Sequence, residues 1–268
     1  MGNYHKALYD YAKGDYALVL DGDDYLIYRS YINKARRLIK ENDLILVFAK
    51  QNVQIEKNNK IISDKMNNKL PQIIEGTWLF KNYPRGYSIP HLSTVYNRKY
   101  AMKIGYYNKN ILSSDWESVL RLMLNKKVGF INKPVGVWRK HFNNESKSLD
   151  LDKIIKNIEY IEGPYEYVLK NNLFGKAEID SWKTKMLKRY FLKNILKLLI
   201  LKEKIKNKEL LSKIKKIYGK NIYYNLIFDP RLILMTSILW NKFLTSLIFK
   251  HIIKNESFLG DLKEDQLK

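Results

Sequence analysis

Cysteine is absent from this 268-residue chain. Disulfides and thiolate metal sites are thereby excluded, and a reducing compartment such as the cytoplasm is expected. The opening Met1-Gly2-Asn3-Tyr4-His5-Lys6 lacks the apolar core of a secretory leader. Long uncharged hydrophobic runs are also missing. The most apolar stretch, residues 231–253, is interrupted by Asn241-Lys242, so no membrane span is expected. Acidic residues are in short supply: 27 Asp and Glu stand against 49 Lys and Arg, a net charge of +22. Such a balance invites a nucleic-acid reading. Lysine, however, is spread along the whole chain instead of being gathered in one recognition element. No specific nucleic-acid binding is therefore expected, and an anionic membrane surface is the better-supported partner.

The few acids that are present cluster. In Ala17-Leu18-Val19-Leu20-Asp21-Gly22-Asp23-Asp24-Tyr25, four apolar residues run into three carboxylates around one glycine. The run reads as a buried strand over 16–20 of an α/β sheet, with the acids just past its carboxyl end, where open α/β sheets place ligands. Asp21 and Asp23 can together hold one hard divalent cation, Mg²⁺ or Mn²⁺, with positions left for phosphate oxygens. Asp-Gly is also a common turn pair, so a solvated loop is the competing reading. An EF-hand is excluded, because Leu26 and Ile32 stand where its loop needs Gly and Glu.

Around this stretch the spacing predicts a helix over 3–13 closed by Gly14, and a second over 27–40 with Ile27, Tyr31, Ala35, Leu38 and Ile39 on one face. Asp43 to Ala49 reads as a buried strand. Lys57-Asn58-Asn59-Lys60 reads as a hairpin turn before Ile61-Ile62. Residues 75–90, with Trp78, Pro84, Gly86 and Tyr87, read as a structured loop, either simply packed or forming an aromatic wall for a sugar. A short strand over 93–96 and a short helix from Arg98 to Ile104, closed by Gly105, follow.

Two further clusters carry chemistry. Ser113-Ser114-Asp115-Trp116-Glu117 enters an apolar-periodic run, so Asp115 sits at a helix start, as a cap or facing a site. Glu117, about 200° further round the helix, cannot share a ligand with it. Strands over 128–131 and 135–138 lead into Arg139-Lys140-His141. At strand spacing Arg139 and His141 point the same way, an arrangement suited to an anionic diphosphate or its metal, or else merely to solvent.

In this order, Lys13-Gly14-Asp15-Tyr16, Leu20-Asp21-Gly22-Asp23-Asp24, Ser114-Asp115-Trp116-Glu117, and Arg139, His141 and Ser146 resemble the catalytic domain of glycosyltransferase family 2, over residues 3 to about 148. The resemblance implies a partial GT-A-like mixed sheet with flanking helices. It also implies inverting transfer of a sugar from a nucleotide-sugar donor to a glycan or lipid-linked acceptor in surface polysaccharide synthesis. Asp21 and Asp23 would bind Mn²⁺ or Mg²⁺ with Asp24 in support. Asp115 would be the general base. His141 would close on the metal, and Arg139 on the diphosphate with Asp21. Ser114 stands where the family often has a second acid. The family's first, nucleoside-holding strands have no counterpart here, so an N-terminally truncated domain is expected. A non-catalytic remnant or accessory chain binding a partner or a membrane surface is the alternative.

The expected division is therefore a catalytic domain over 1–148 and a basic, all-helical region over 149–268. In the latter, residues 153–170 form a helix broken at Gly163-Pro164, and 181–200 and 203–218 form amphipathic basic helices. These either cover the domain or rest on anionic headgroups at the cytoplasmic membrane face. The polar tail from Asp261 reads as frayed.

Overall fold

A computed structural model describes residues 2–56, 59–63, 69–141 and 148–240, with side chains to 238 in the last stretch. They form a mixed α/β structure followed by helices. Two compact units divide the chain, one of residues 1–146 with 156–182, the other of residues 147–155 with 183–268. The predicted signals in Ser146 and in the tail from Asp261 lie outside the described residues, as do residues 57–58 of the expected hairpin turn.

The first unit is built on two long parallel strands, β3 (Leu46–Ile55) and β7 (Lys127–Lys140). Each has a different neighbour at each end. β3 pairs first with β6 (Val95–Asn97) and then with β4 (Lys60–Ser63); β7 pairs first with β5 (Ile73–Glu75) and then with β2 (Tyr25–Leu26). β1 (Tyr16–Ala17) completes the path β1-β6-β3-β7-β2. The two strands expected over 128–131 and 135–138 are one. Between Ile131 and Gly136 the register against β3 shifts around Pro134, which cannot donate to a ladder, and the chain bulges without reversing. The Ile61-Ile62 hairpin arm is present, with Ile55 opposite Lys60.

α2 (Tyr31–Asn42) buries Tyr31, Ala35, Leu38 and Ile39 against Val47, Ala49, Val95, Ile131 and Val135 of the sheet. Ile27, expected on that face, lies ahead of the helix and is exposed. Gly129 leaves room under α2: a Cβ there would lie 2.8 Å from side-chain atoms of Leu44 and Val47 and 3.1 Å from Leu38 of α2. In the first segment only α1 (Asn3–Lys6) is α-helical, and the chain continues as a π-helical turn over Ala7–Tyr11 that buries Leu8.

Two other expectations are corrected. The strand expected over 16–20 is paired only at Tyr16 and Ala17, at the end of the sheet path, and Leu20 is exposed. Residues 75–90 are no loop: α3 (Gly76–Asn82) buries Leu79 and Phe80, then a 3-10 turn runs over Tyr83–Arg85 and ends at Gly86 with φ 108°. The small Gly76 is required there, since a Cβ would meet the Met123 carbonyl oxygen at 2.0 Å. α4 (Arg98–Lys103), capped by the Asn97 side chain, and α5 (Ser114–Leu122) stand where predicted.

The later helices are α6 (Leu151–Lys156), α7 (Glu159–Lys170), α8 (Lys176–Ile200), α9 (Lys204–Ile227), kinked at Gly219 with φ 79°, and α10 (Pro230–Trp240). The break predicted at Gly163-Pro164 falls earlier, between α6 and α7, and Pro164 is carried inside α7. Gly163 faces α5: a Cβ on it would lie 2.4 Å from Glu117 Oε1. No helix among the described residues is long and apolar enough to cross a membrane.

Candidate functional site

β1 is antiparallel to β6, and β6 to β3, so β1 runs in the sense of β3 and β7. The acidic loop therefore leaves β1 at the same end of the sheet at which β7 delivers Arg139 and His141. Ligands of open α/β sheets gather at such carboxyl ends. The loop returns as β2, whose Tyr25 is opposite Val137. That register aligns the acids with the last residues of β7. The Arg139 backbone N–H donates to Asp24 Oδ1 at 2.9 Å, and His141 Nε2 lies 2.6 Å from Asp23 Oδ2. The Asp24 N–H closes the loop on the Asp21 carbonyl at 3.0 Å.

Asp21 faces the other way, toward groups that no sequence motif singles out. Tyr4, on α1, donates its hydroxyl to Asp21 Oδ1 at 2.5 Å, and His91 Nδ1 lies 4.0 Å from Asp21 Oδ2. His91 Nε2 is 2.7 Å from the Tyr107 hydroxyl. The Tyr4, His91 and Tyr107 rings form one contact group, with centroids 5.2–6.0 Å apart. His91 is set in place by the 3-10 turn His91–Ser93, which Ser93 pins to β3 by donating its hydroxyl to the Ala49 carbonyl at 2.7 Å. Tyr107 holds a left-handed backbone, φ 60°, which is costly for a bulky residue, and the Ser118 hydroxyl accepts its N–H at 2.8 Å.

Asp115, in the first turn of α5, belongs to the same surroundings. Burial raises its pKa above the usual carboxylate range, the nearby His91 imidazole pulls it down, and the negative charge of Asp21 pushes it up. The Tyr4 hydroxyl is raised by burial, by its bond to Asp21, and by the charges of Asp21, Asp115 and Asp23 together. Asp24 is pushed up to about 6, first by burial and then by Asp23 and Asp21, against the lowering effect of the Arg139 N–H. Tyr106 and Tyr107 are driven well above their ordinary range by burial.

The sequence-predicted residues thus fall into three placements. Asp21, Asp23, Asp115 and His141 share one electrostatic neighbourhood, with Asp23 and His141 in contact. Arg139 contributes its backbone there, while its guanidinium turns along β3 to within 3.8 Å of Glu56 Oε1. Glu117 points away from the site, into a buried pair with Arg121.

Among the described residues no group of three or more His, Asp or Glu side chains converges as a ready-made metal cage. The donors do match a hard divalent ion that takes one or two carboxylates and completes its shell with substrate phosphates: Asp21 and Asp23 are each partly open, and His141 adds an imidazole. A cavity of about 210 Å³ lined by Lys34, Leu70, Gln72, Phe130, Ile131, Asn132 and Lys133 includes none of these residues. No known protein-family description matches the sequence, and no curated protein is significantly similar to it.

Proposed function

We propose that this chain is the catalytic portion of an inverting, metal-dependent glycosyltransferase of family 2, with a partial GT-A-like sheet. It would move a sugar from a nucleotide-sugar to a hydroxyl of a glycan or lipid-linked acceptor in surface-polysaccharide synthesis, on the cytoplasmic side. One observation supports the reading: the acidic loop meets His141 through Asp23 at 2.6 Å and reaches toward Asp115 through Asp21, so residues from three distant stretches of the chain converge on that loop.

Asp115 is assigned the acceptor proton. Burial raises its pKa above the usual carboxylate range, which strengthens it as a base. As it takes that proton, the acceptor oxygen forms its bond to the anomeric carbon, and the bond to the diphosphate breaks with the electron pair leaving on phosphate oxygen. Asp23, His141 and Asp21 are the residues that would hold Mn²⁺ or Mg²⁺, which when bound neutralises charge on that leaving group. Asp24, fixed by the Arg139 N–H, sets the loop that carries Asp21 and Asp23. Arg139, half-exposed beside Glu56, is the cation assigned to the diphosphate. His91, held by Tyr107 beside Asp21, works against the upward push of burial and of Asp21 on Asp115.

The test is release of nucleoside diphosphate from a panel of UDP- and dTDP-sugars, with and without Mn²⁺, by the chain alone and by the chain extended with any in-frame upstream segment. Metal-dependent release that falls on Asp23→Ala and on Asp115→Asn supports the assignment. Native folding with neither turnover nor metal-dependent nucleotide binding in either form would favour the accessory-chain reading.

A further inference from the structure

The second unit carries a surface that sugar transfer does not use. Residues 183–240 contain fifteen Lys and Arg against three Asp and Glu, so more than half of the chain's net positive charge is concentrated there. Where α9 meets α10, this basic region exposes large apolar side chains. Phe228 is 67% exposed and Leu234 61%, with Tyr224 and Ile233 also open. Tyr224 and Phe228 stack at 6.1 Å, one helical turn apart. Their neighbours Leu226 and Leu232 are buried, so the corner is two-sided, one side packed and the other presented outward.

The corner is held rigidly. Asp229 is buried between the two helices and accepts from Arg231 Nε at 2.9 Å and from Lys188 Nζ at 3.1 Å. Its carbonyl accepts the N–H groups of Leu232 and Ile233, starting α10 at once. This fixes Phe228 on one arm and Ile233 and Leu234 on the other. Lys220, one turn before Tyr224, is exposed, as are Lys215 and Lys216.

We propose that this α9–α10 corner is a docking surface for an anionic lipid bilayer, with Phe228, Ile233 and Leu234 entering the headgroup–acyl boundary and the flanking lysines resting on phosphate. Exposed apolar side chains on a strongly basic unit are what an interfacial segment needs, since burial and headgroup attraction act together. A protein partner or a second copy would account for the apolar patch but not for the surrounding charge, which would repel another copy of this basic unit.

The experiment is vesicle co-sedimentation of the full chain at ~0.1 M salt, comparing phosphatidylcholine alone with phosphatidylcholine containing phosphatidylglycerol. Binding is expected only to the anionic vesicles. The double substitution Phe228→Ser with Leu234→Ser should weaken it about tenfold or more, given the apolar area withdrawn from the membrane. Lys220→Gln should weaken it a few-fold. Phe228→Trp should give an added blue-shifted emission on the anionic vesicles. Three results would overturn the proposal: no anionic-vesicle binding, a natively helical double variant that binds as wild type does, or self-association abolished by the same substitutions. The binding is independent of the sugar-transfer reading, so the double substitution should leave nucleotide-sugar turnover on a soluble acceptor unchanged.

Discussion

Asp115 and Glu117 stand two residues apart in the first turns of α5, and the protein treats them oppositely. Glu117 is locked. Arg121 meets both its oxygens, at 2.7 and 2.8 Å, the Ser118 hydroxyl adds a third bond, and the rest of the guanidinium is taken by the carbonyls of Ile104 and Gly105. Among the described residues, Asp115 has no cation paired with it in this way. It faces Asp21 and His91 and carries a raised pKa. A buried charge that is fully satisfied holds a fold together. A buried charge left beside its own kind is under electrostatic stress that a proton, a metal or a substrate can relieve. Asp24 of the acidic loop, pushed up by burial and by Asp23 and Asp21, belongs to the second kind, and Asp229 in the other unit to the first.

This contrast can be broken by substitution. Asp115→Asn should leave the melting temperature in place and lower turnover by about 10²–10⁴. A stability loss with intact activity would place Asp115 among the structural carboxylates. Glu117→Gln should do the reverse, costing about 3–5 kcal/mol by chemical denaturation because Arg121 is left buried without its counter-charge. Gly163→Ala should cost less, about 1–3 kcal/mol, by driving a methyl group against Glu117 and forcing α7 from α5.

Asp229 sharpens the comparison through pH. Arg231, and after it Lys188, hold its carboxyl below the usual range. A depressed folded pKa contributes stability above the unfolded value, and that contribution is lost as pH falls through the folded one. Asp229→Asn should therefore cost about 1.5 kcal/mol near neutrality and progressively less below about pH 4. Thermal melts by circular dichroism at pH 7 and pH 3 should show the two proteins converging.

Much of the fold was legible because it follows local periodicity. α4 and α5 lie where apolar spacing put them and α2 starts four residues later, at Tyr31, while Asn97 caps α4 and Gly105, φ 72°, closes it. What misled was chain behaviour set by tertiary partners. The polar second half of β3, Lys50 to Gln54, does not read as buried strand, yet β4 and β7 hold it extended. Pro134 looks like a strand end and is a bulge; Pro164 looks like a helix break and is accommodated. Of the candidate site, the acids and His141 were legible as motifs. Tyr4, His91 and Tyr107 were not, since a lone His after Pro90 and a Tyr after Tyr106 carry no spacing that separates them from core or surface. Only the left-handed Tyr107 and the Ser93 anchor reveal why they converge.

The pairing of Tyr25 with Val137 has a consequence for how the protein is made. A ribosome must have extended β7 from its exit tunnel before the acidic loop has anything to fasten to. Contacts between residues so distant in the chain form late and slowly. Until then the loop's carboxylates stay hydrated and separate, and the molecule acquires its electrostatic stress only once β7 is in place.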